Sequence, residues 1–282
     1  MKIANFQTGI QPWEALYHTV INKPEMIHFH IEETFRIQSK TRFILGQAIS
    51  YFTQKTNSPF KKCGGELLTR CNPEILPQQY IGSAFQHMPP HAMKKMFPIL
   101  LQQQLEFISR LDVIPDVSYS INLEGIDYDL EVWKKVCNLL MIHRQLPINV
   151  EIKENCLLSP NILIMLAEIC KNSRIRIFID DLCSYCHELP DYEDYIIMVI
   201  QHLDRYIQAV KVDYAVMNKI MYLEQFYRVK NNLRDLRWLW ESHSRYNLPM
   251  VIFESLPILD RRWIMRLHEL ADGYCGIRFQ RG

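Results

Sequence analysis

The chain has 282 residues, 48% of them hydrophobic, enough for a sizeable core in one barrel-sized domain or in two smaller ones. Its 32 basic and 31 acidic residues leave a net charge of +1, which excludes a general electrostatic pull onto nucleic acid or anionic membrane. No apolar run reaches membrane-spanning length, and Met1 to Gln7 lack the apolar core of a signal peptide. The expected compartment is therefore the cytosol, with the 8 cysteines as free thiols.

Residues 1–40 carry Pro12, Pro24 and a mixed amphipathic stretch (Ile27, Phe29, Ile31, Phe35, Ile37) and read as a short N-terminal extension to a single domain over 41–282. Within the extension, His28 and His30 followed by Glu32 and Glu33 alternate as a surface strand or turn does; no third ligand sits at a metal-site spacing. A first strand is expected in Phe43 to Ile49, then a polar turn, Thr53 to Ser58, and a second strand in Cys63 to Leu68. The Pro-punctuated stretch from Pro77 to Leu111 contains a helix, with Phe97, Leu100, Leu101, Leu105 and Ile108 on a helical period.

Further strands follow in Tyr119 to Leu123, Ile148 to Ile152, Ile175 to Asp181, Ala209 to Asp213, Met250 to Glu254 and Tyr274 to Phe279. Most are β-branched or aromatic and about strand length. Helices are expected between them over Leu130 to Met141, Pro160 to Cys170, Tyr192 to Tyr206 and Leu223 to His243. Eight strands with intervening helices form a closed parallel barrel, so the fold class is α/β, a (β/α)8 TIM-type barrel.

Six of these runs end on a charged or amide residue: Glu66, Asn122, Glu151, Asp180 with Asp181, Lys211 and Glu254. Parallel strands point their C-terminal ends the same way, so these groups converge where barrel enzymes keep their catalytic groups. Any one acidic residue taken alone reads equally well as a helix N-cap or first-turn carboxylate. The set resists that reading, because a cap needs no adjacent Asp180 and Asp181 at the tip of an apolar strand and Lys211 caps nothing. Oxygen ligands of this kind suit hard cations such as Mg2+ or Mn2+, and a pair of ions suits in-line phosphoryl displacement. The spacing Cys183-Ser184-Tyr185-Cys186-His187 matches haem-attachment and redox patterns, but the loop after the Asp181 strand is the plainer reading.

Glu66-Leu67-Leu68-Thr69-Arg70 resembles the Glu-Ala-Leu-Leu-Arg motif of the EAL-domain family, cyclic di-GMP phosphodiesterases built on a modified (β/α)8 barrel. The resemblance covers residues 43–282, with the motifs in family order. Gln47-Ala48-Ile49 is similar to Gln-Pro-Ile, Ser120-Ile121-Asn122-Leu123 to Ser-Val-Asn-Leu, and Glu151-Ile152-Lys153-Glu154 to Glu-Ile-Thr-Glu. Asp180-Asp181-Leu182 is similar to the family's Asp-Asp-Phe, Lys211-Val212-Asp213 to Lys-Ile-Asp, and Phe253-Glu254 to Ala-Glu.

The resemblance implies that Glu66, Asn122, Glu151 and Asp180 ligate one ion and that Asp180 and Asp181 reach a second, both Mg2+ or Mn2+. It implies that Lys211 holds the attacking water, that Glu254 acts as base or ligand, and that Arg70 and Gln47 contact cyclic di-GMP. Glu154 then holds the loop after the Asp-Asp strand, and a homodimer is expected from the family. Departures stand beside these matches, among them Cys275-Gly276-Ile277 where the family has Gln-Gly-Tyr. The family's glycines after the Asp pair are replaced in Leu182 to Cys186, and a carboxylate after Glu254 is missing at Pro257. Two functions stay open: metal-dependent hydrolysis of cyclic di-GMP to the linear dinucleotide, or non-catalytic sensing of it or binding of a regulatory protein. The stretch with Phe226, Tyr227, Trp238 and Trp240 is a candidate face for such a partner, against the plainer reading as core.

Overall fold

The computed structural model describes residues 10–37, 44–46, 60–112, 114, 117–123, 129–153, 156, 158–180, 203, 206–213, 250–254 and 275–277. The strands are β1 Ile27–Ile37, β2 Ile44–Gly46, β3 Phe60–Cys71, β4 Ser118–Asn122, β5 Ile148–Lys153, β6 Arg176–Asp180, β7 Ile207–Asp213, β8 Met250–Glu254 and β9 Cys275–Ile277. The helices are α1 Pro12–Asn22, α2 Ile81–Gln86, α3 Pro90–Ser109, α4 Leu130–Ile142 and α5 Pro160–Lys171. Each of the eight runs expected as strands contains one, and β1 is a ninth among the described residues. The helices expected over 192–206 and 223–243 fall outside them, save Leu203 and Tyr206, which stand in turns.

The strands close a barrel in the order β1-β2-β9-β8-β7-β6-β5-β4-β3. From β3 to β9 every neighbouring pair is parallel, and β2 joins β9 in the same sense. The exception is β1, antiparallel to both β2 and β3. The stretch read as an N-terminal extension thus supplies a stave of the wall. Because both of its neighbours are antiparallel to β1, β2 and β3 run parallel to each other, in the common direction of the barrel.

Alternation along each strand separates two environments. In β5, Ile148, Val150 and Ile152 face outward into the main apolar cluster, with Leu100, Leu101, Leu105, Trp133, Leu140 and Leu166 from the surrounding helices. The alternate residues face the barrel axis, where Asn149 donates to Ser118 Oγ at 2.8 Å. Among the described residues Phe178 and Ala209 form a separate apolar patch. Helix starts follow from local chemistry: Pro90 and Pro160 supply the preset φ of the first turns of α3 and α5. Asp129 caps α4 by accepting from Glu131 and Val132 N–H, and it also binds Lys94 of α3. Cys71, Cys137 and Cys170 are free thiols.

The approach of β1 to β3 requires a residue without a side chain. A Cβ at Gly65 would lie 2.5 Å from Ile31 Cγ2 and 2.9 Å from the Glu32 carbonyl oxygen, so a methyl group there forces β1 outward. Gly65→Ala is expected to lower stability by about 1–3 kcal/mol, measured by denaturant unfolding. An unchanged midpoint would mean that β1 does not lie this close to β3.

Candidate functional site

Glu66, Asn122, Glu151, Asp180 and Lys211 occupy inward positions near the C-terminal ends of β3 to β7. Across β3, β4 and β5, Glu66 is level with Ser120, and Asn122 with Glu151. On β6, Asp180 is the last residue, level with Lys153; on β7 and β8, Lys211 is level with Ile252, and Asp213 with Glu254. Glu66, Glu151, Asp180 and Lys211 are all buried. They meet on the lysine nitrogen: Lys211 Nζ donates to Glu151 Oε2 at 2.5 Å and to Glu66 Oε2 at 3.5 Å, and lies 3.3 Å from Asp180 Oδ1. Four strands, β3, β5, β6 and β7, are thereby tied through one point inside the barrel.

One ammonium faces three buried carboxylates, so the cluster carries excess negative charge wherever all three are ionised. Burial pushes the Glu151 carboxyl above its ordinary value; Lys211 pulls it back, and the Asp180 charge pushes it up again. A buried Glu32 on β1, level with Glu66, belongs to the same electrostatic set. Its carboxyl is raised by burial, lowered by Arg70 and Lys211, and raised by Glu151. Sequence reasoning placed Glu32 outside the site, although its alternation with His28 and His30 marks one face of a strand. Arg70, half-buried near the end of β3, is level with His28; burial lowers its pKa and the Glu32 charge raises it. Its Nη1 donates to Thr69 O at 3.0 Å.

Of the expected site residues, then, the structure brings together Glu66, Glu151, Asp180 and Lys211, and places Asn122 and Arg70 at the neighbouring strand ends. Glu254 ends β8, with its side chain outside the described residues, as are Asp181, Gln47 and Glu154 altogether. Among the described residues no three acidic, His or Cys side chains are arranged so as to hold a metal ion, and Glu66, Glu151 and Asp180 are turned onto the Lys211 nitrogen. The donor chemistry nonetheless fits a hard divalent cation. The cluster offers carboxylate and amide oxygens with more negative charge than one lysine neutralises.

No protein-family model matches the chain, and no curated protein does. Solved structures do match. The FimX EAL domain superposes with a TM-score of 0.54 at 11% identity, over 94% of this chain and 93% of that one. Vibrio cholerae LapD S helix-GGDEF-EAL, bound to c-di-GMP, gives a TM-score of 0.54 at 14% identity, over 93% of this chain and 55% of that one. The Bacillus subtilis YkuI protein, with an EAL domain, in complex with substrate c-di-GMP and calcium, gives 0.54 at 14% identity, over 92% of this chain and 55% of that one. The chain therefore spans 55% of the length of the LapD and YkuI chains. At these identities the likeness establishes a shared fold, that of the EAL domains. Among the described residues no helix is long and apolar enough to cross a membrane.

Lys211→Met leaves three buried carboxylates without their counter-charge. Breaking a buried ion pair from one side typically costs about 3–5 kcal/mol, so the variant should melt well below the parent in chelator. Added Mg2+ or Mn2+ should recover more of the melting temperature in the variant than in the parent. Equal melting of the two proteins in chelator would show that the cluster does not hold the strands together.

Proposed function

We propose that the chain is an EAL-domain protein that binds cyclic di-GMP at the C-terminal mouth of its barrel and hydrolyses it to the linear dinucleotide. The observation that carries this reading is the convergence of Glu66, Glu151 and Asp180, from three separate strands, on the buried Lys211 nitrogen. Three like charges in one buried place are costly unless cations share it. The fold likeness to YkuI, whose structure holds c-di-GMP and calcium, supports both the ligand and the need for a divalent ion.

In this reading Glu66, Asn122, Glu151 and Asp180 hold one Mg2+ or Mn2+, and Asp180 with Asp181 hold a second. When bound, the ions neutralise phosphoryl charge and lower the pKa of a bound water. Arg70 grips a non-bridging phosphate oxygen through its planar fork, which orients the ester for in-line attack, and Gln47 contacts the dinucleotide beside it. Lys211, which pairs with Glu66, Glu151 and Asp180, would donate to the oxygen of the attacking water and hold it in place beside the phosphorus. Glu254 serves as base or ligand at the end of β8, and Glu154 holds the loop after Asp181.

A second reading rests on a specific observation: Lys211 already pairs with Glu66, Glu151 and Asp180, so the cluster keeps a counter-charge of its own. Together with the altered Leu182 to Cys186 loop and Pro257, this favours a protein that senses cyclic di-GMP, or binds a regulatory protein, without turnover. Dimerisation belongs to either reading.

The pure protein incubated with cyclic di-GMP and Mg2+ or Mn2+, followed by chromatography, is expected to yield the linear dinucleotide. Glu66→Gln should lower that rate by more than about 100-fold, beyond the usual effect of residues that only support a metal ligand. Arg70→Ala should weaken calorimetric binding by roughly 10- to 100-fold, the worth of a charge-assisted hydrogen bond. Heat of binding without product selects the sensing reading; no heat at high ligand concentration overturns cyclic di-GMP as the ligand.

A further inference from the structure

The base of the barrel, at the end opposite the charged cluster, concentrates positive charge that none of the roles above uses. The loop from α4 to β5 and the loop from α5 to β6 lie side by side there, joined where Arg174 N–H donates to Arg144 O at 2.9 Å. Arg144, Lys171 and Arg174 are exposed on them. Arg176, half-buried at the start of β6, is fastened to the second loop, its Nη1 donating to Ser173 O at 3.2 Å and to Ile175 O at 2.7 Å. From 132 to 150 and from 169 to 179 the sequence holds no Asp or Glu. In a chain whose charges nearly cancel, these two stretches are a local excess of cations.

Two residues before Arg144 stands Ile142, the last residue of α4. It is 74% exposed, more than any other large apolar side chain among the described residues. A single exposed apolar side chain needs no explanation by itself, and a cation in the last turn of a helix answers the helix dipole. Of these cations only Lys171 lies in a last turn; α4 has no basic residue there, and Arg144 and Arg174 stand beyond the helix ends. The combination points to a partner that is anionic at its surface and apolar just beneath. A bilayer with anionic headgroups has that layering. Nucleic acid would pair the arginines but give a protruding isoleucine little to bury against.

We propose that the base of the barrel docks on an anionic lipid surface, with Arg144, Lys171 and Arg174 against the headgroup phosphates and Ile142 entering the acyl boundary. Such attachment is peripheral and needs no membrane-spanning helix. The chain's net charge of +1 supplies no long-range pull, so the contact depends on this patch alone. Docked in this way, the barrel turns its mouth and the Lys211 cluster away from the lipid. The inference uses no residue of the proposed phosphodiester site and stands apart from that reading.

The test is flotation of the full chain with vesicles of phosphatidylcholine and phosphatidylglycerol in equal parts, and with vesicles of phosphatidylcholine alone. The protein should float with the first and not the second, and added salt should release it. Arg144→Gln and Arg174→Gln should each lower partition about five-fold, and Ile142→Ser about ten-fold. Lys95→Gln, which removes an exposed cation from the mouth end of α3, should leave it unchanged. All four substitutions are at exposed positions, and the variants should melt with the parent. No flotation, equal flotation with both vesicles, or an equal loss in Lys95→Gln and Arg174→Gln overturns the proposal. Binding of poly-glutamate that Arg174→Gln weakens and Ile142→Ser does not, without flotation, would assign the patch to an acidic protein instead.

Discussion

The barrel is organised around a single ammonium group. Lys211 reaches carboxylates on three other strands, and without it Glu66, Glu151 and Asp180 would face one another inside a low-dielectric space. This constraint accounts for what surrounds it. The inward positions carry Ser118, Ser120, Asn149 and other groups able to hydrogen-bond, whereas the aliphatic residues of the same strands are turned outward under α3, α4 and α5. The apolar packing lies in the outer layer and the charge in the inner one. A polar lumen of this kind makes closure of the sheet depend on charge balance as well as on packing.

Closure also depends on β1. As the one antiparallel stave it lies between β2 and β3, and its register with β3 places Glu32 level with Glu66. The outward residues of β1 join the packing under the helices: Phe29 meets Phe107 of α3 with ring centroids 5.5 Å apart, and Ile31 covers Gly65. One strand thus contributes apolar area to the core on one face and a carboxylate to the charged interior on the other. Gly65 is the position at which both contributions depend on the absence of a side chain.

Much of this was legible in the sequence, for identifiable reasons. Strands β4 to β8 are short β-branched runs, and their terminal Asn122, Glu151, Asp180, Lys211 and Glu254 break the apolar pattern at the end that a parallel barrel brings together. Helices α4 and α5 follow their caps and apolar period within a residue or so. The role of β1 was hidden because antiparallel pairing across the intervening β2 is a long-range contact with no local signature, and exposed His28 and His30 make the segment look like surface. Glu32 was lost with it. The expected Gln47 lies just past the end of β2, outside the described residues.

The reversed direction of β1 has a consequence for how the barrel is wired. Because β1 opposes its neighbours, its first residues, Ile27 and His28, stand level with Cys71 and Arg70, at the rim formed by the C-terminal strand ends and not at the base. The backbone just before it is fastened there too, with Asn72 N–H donating to Met26 O at 3.1 Å. One step further upstream, α1 packs against α2, the helix that forms one wall of a cavity beside Arg70. The polypeptide therefore arrives through the front door of the barrel. A load, label or neighbouring module applied at α1 bears first on the mouth of the barrel, and only through it on the staves behind.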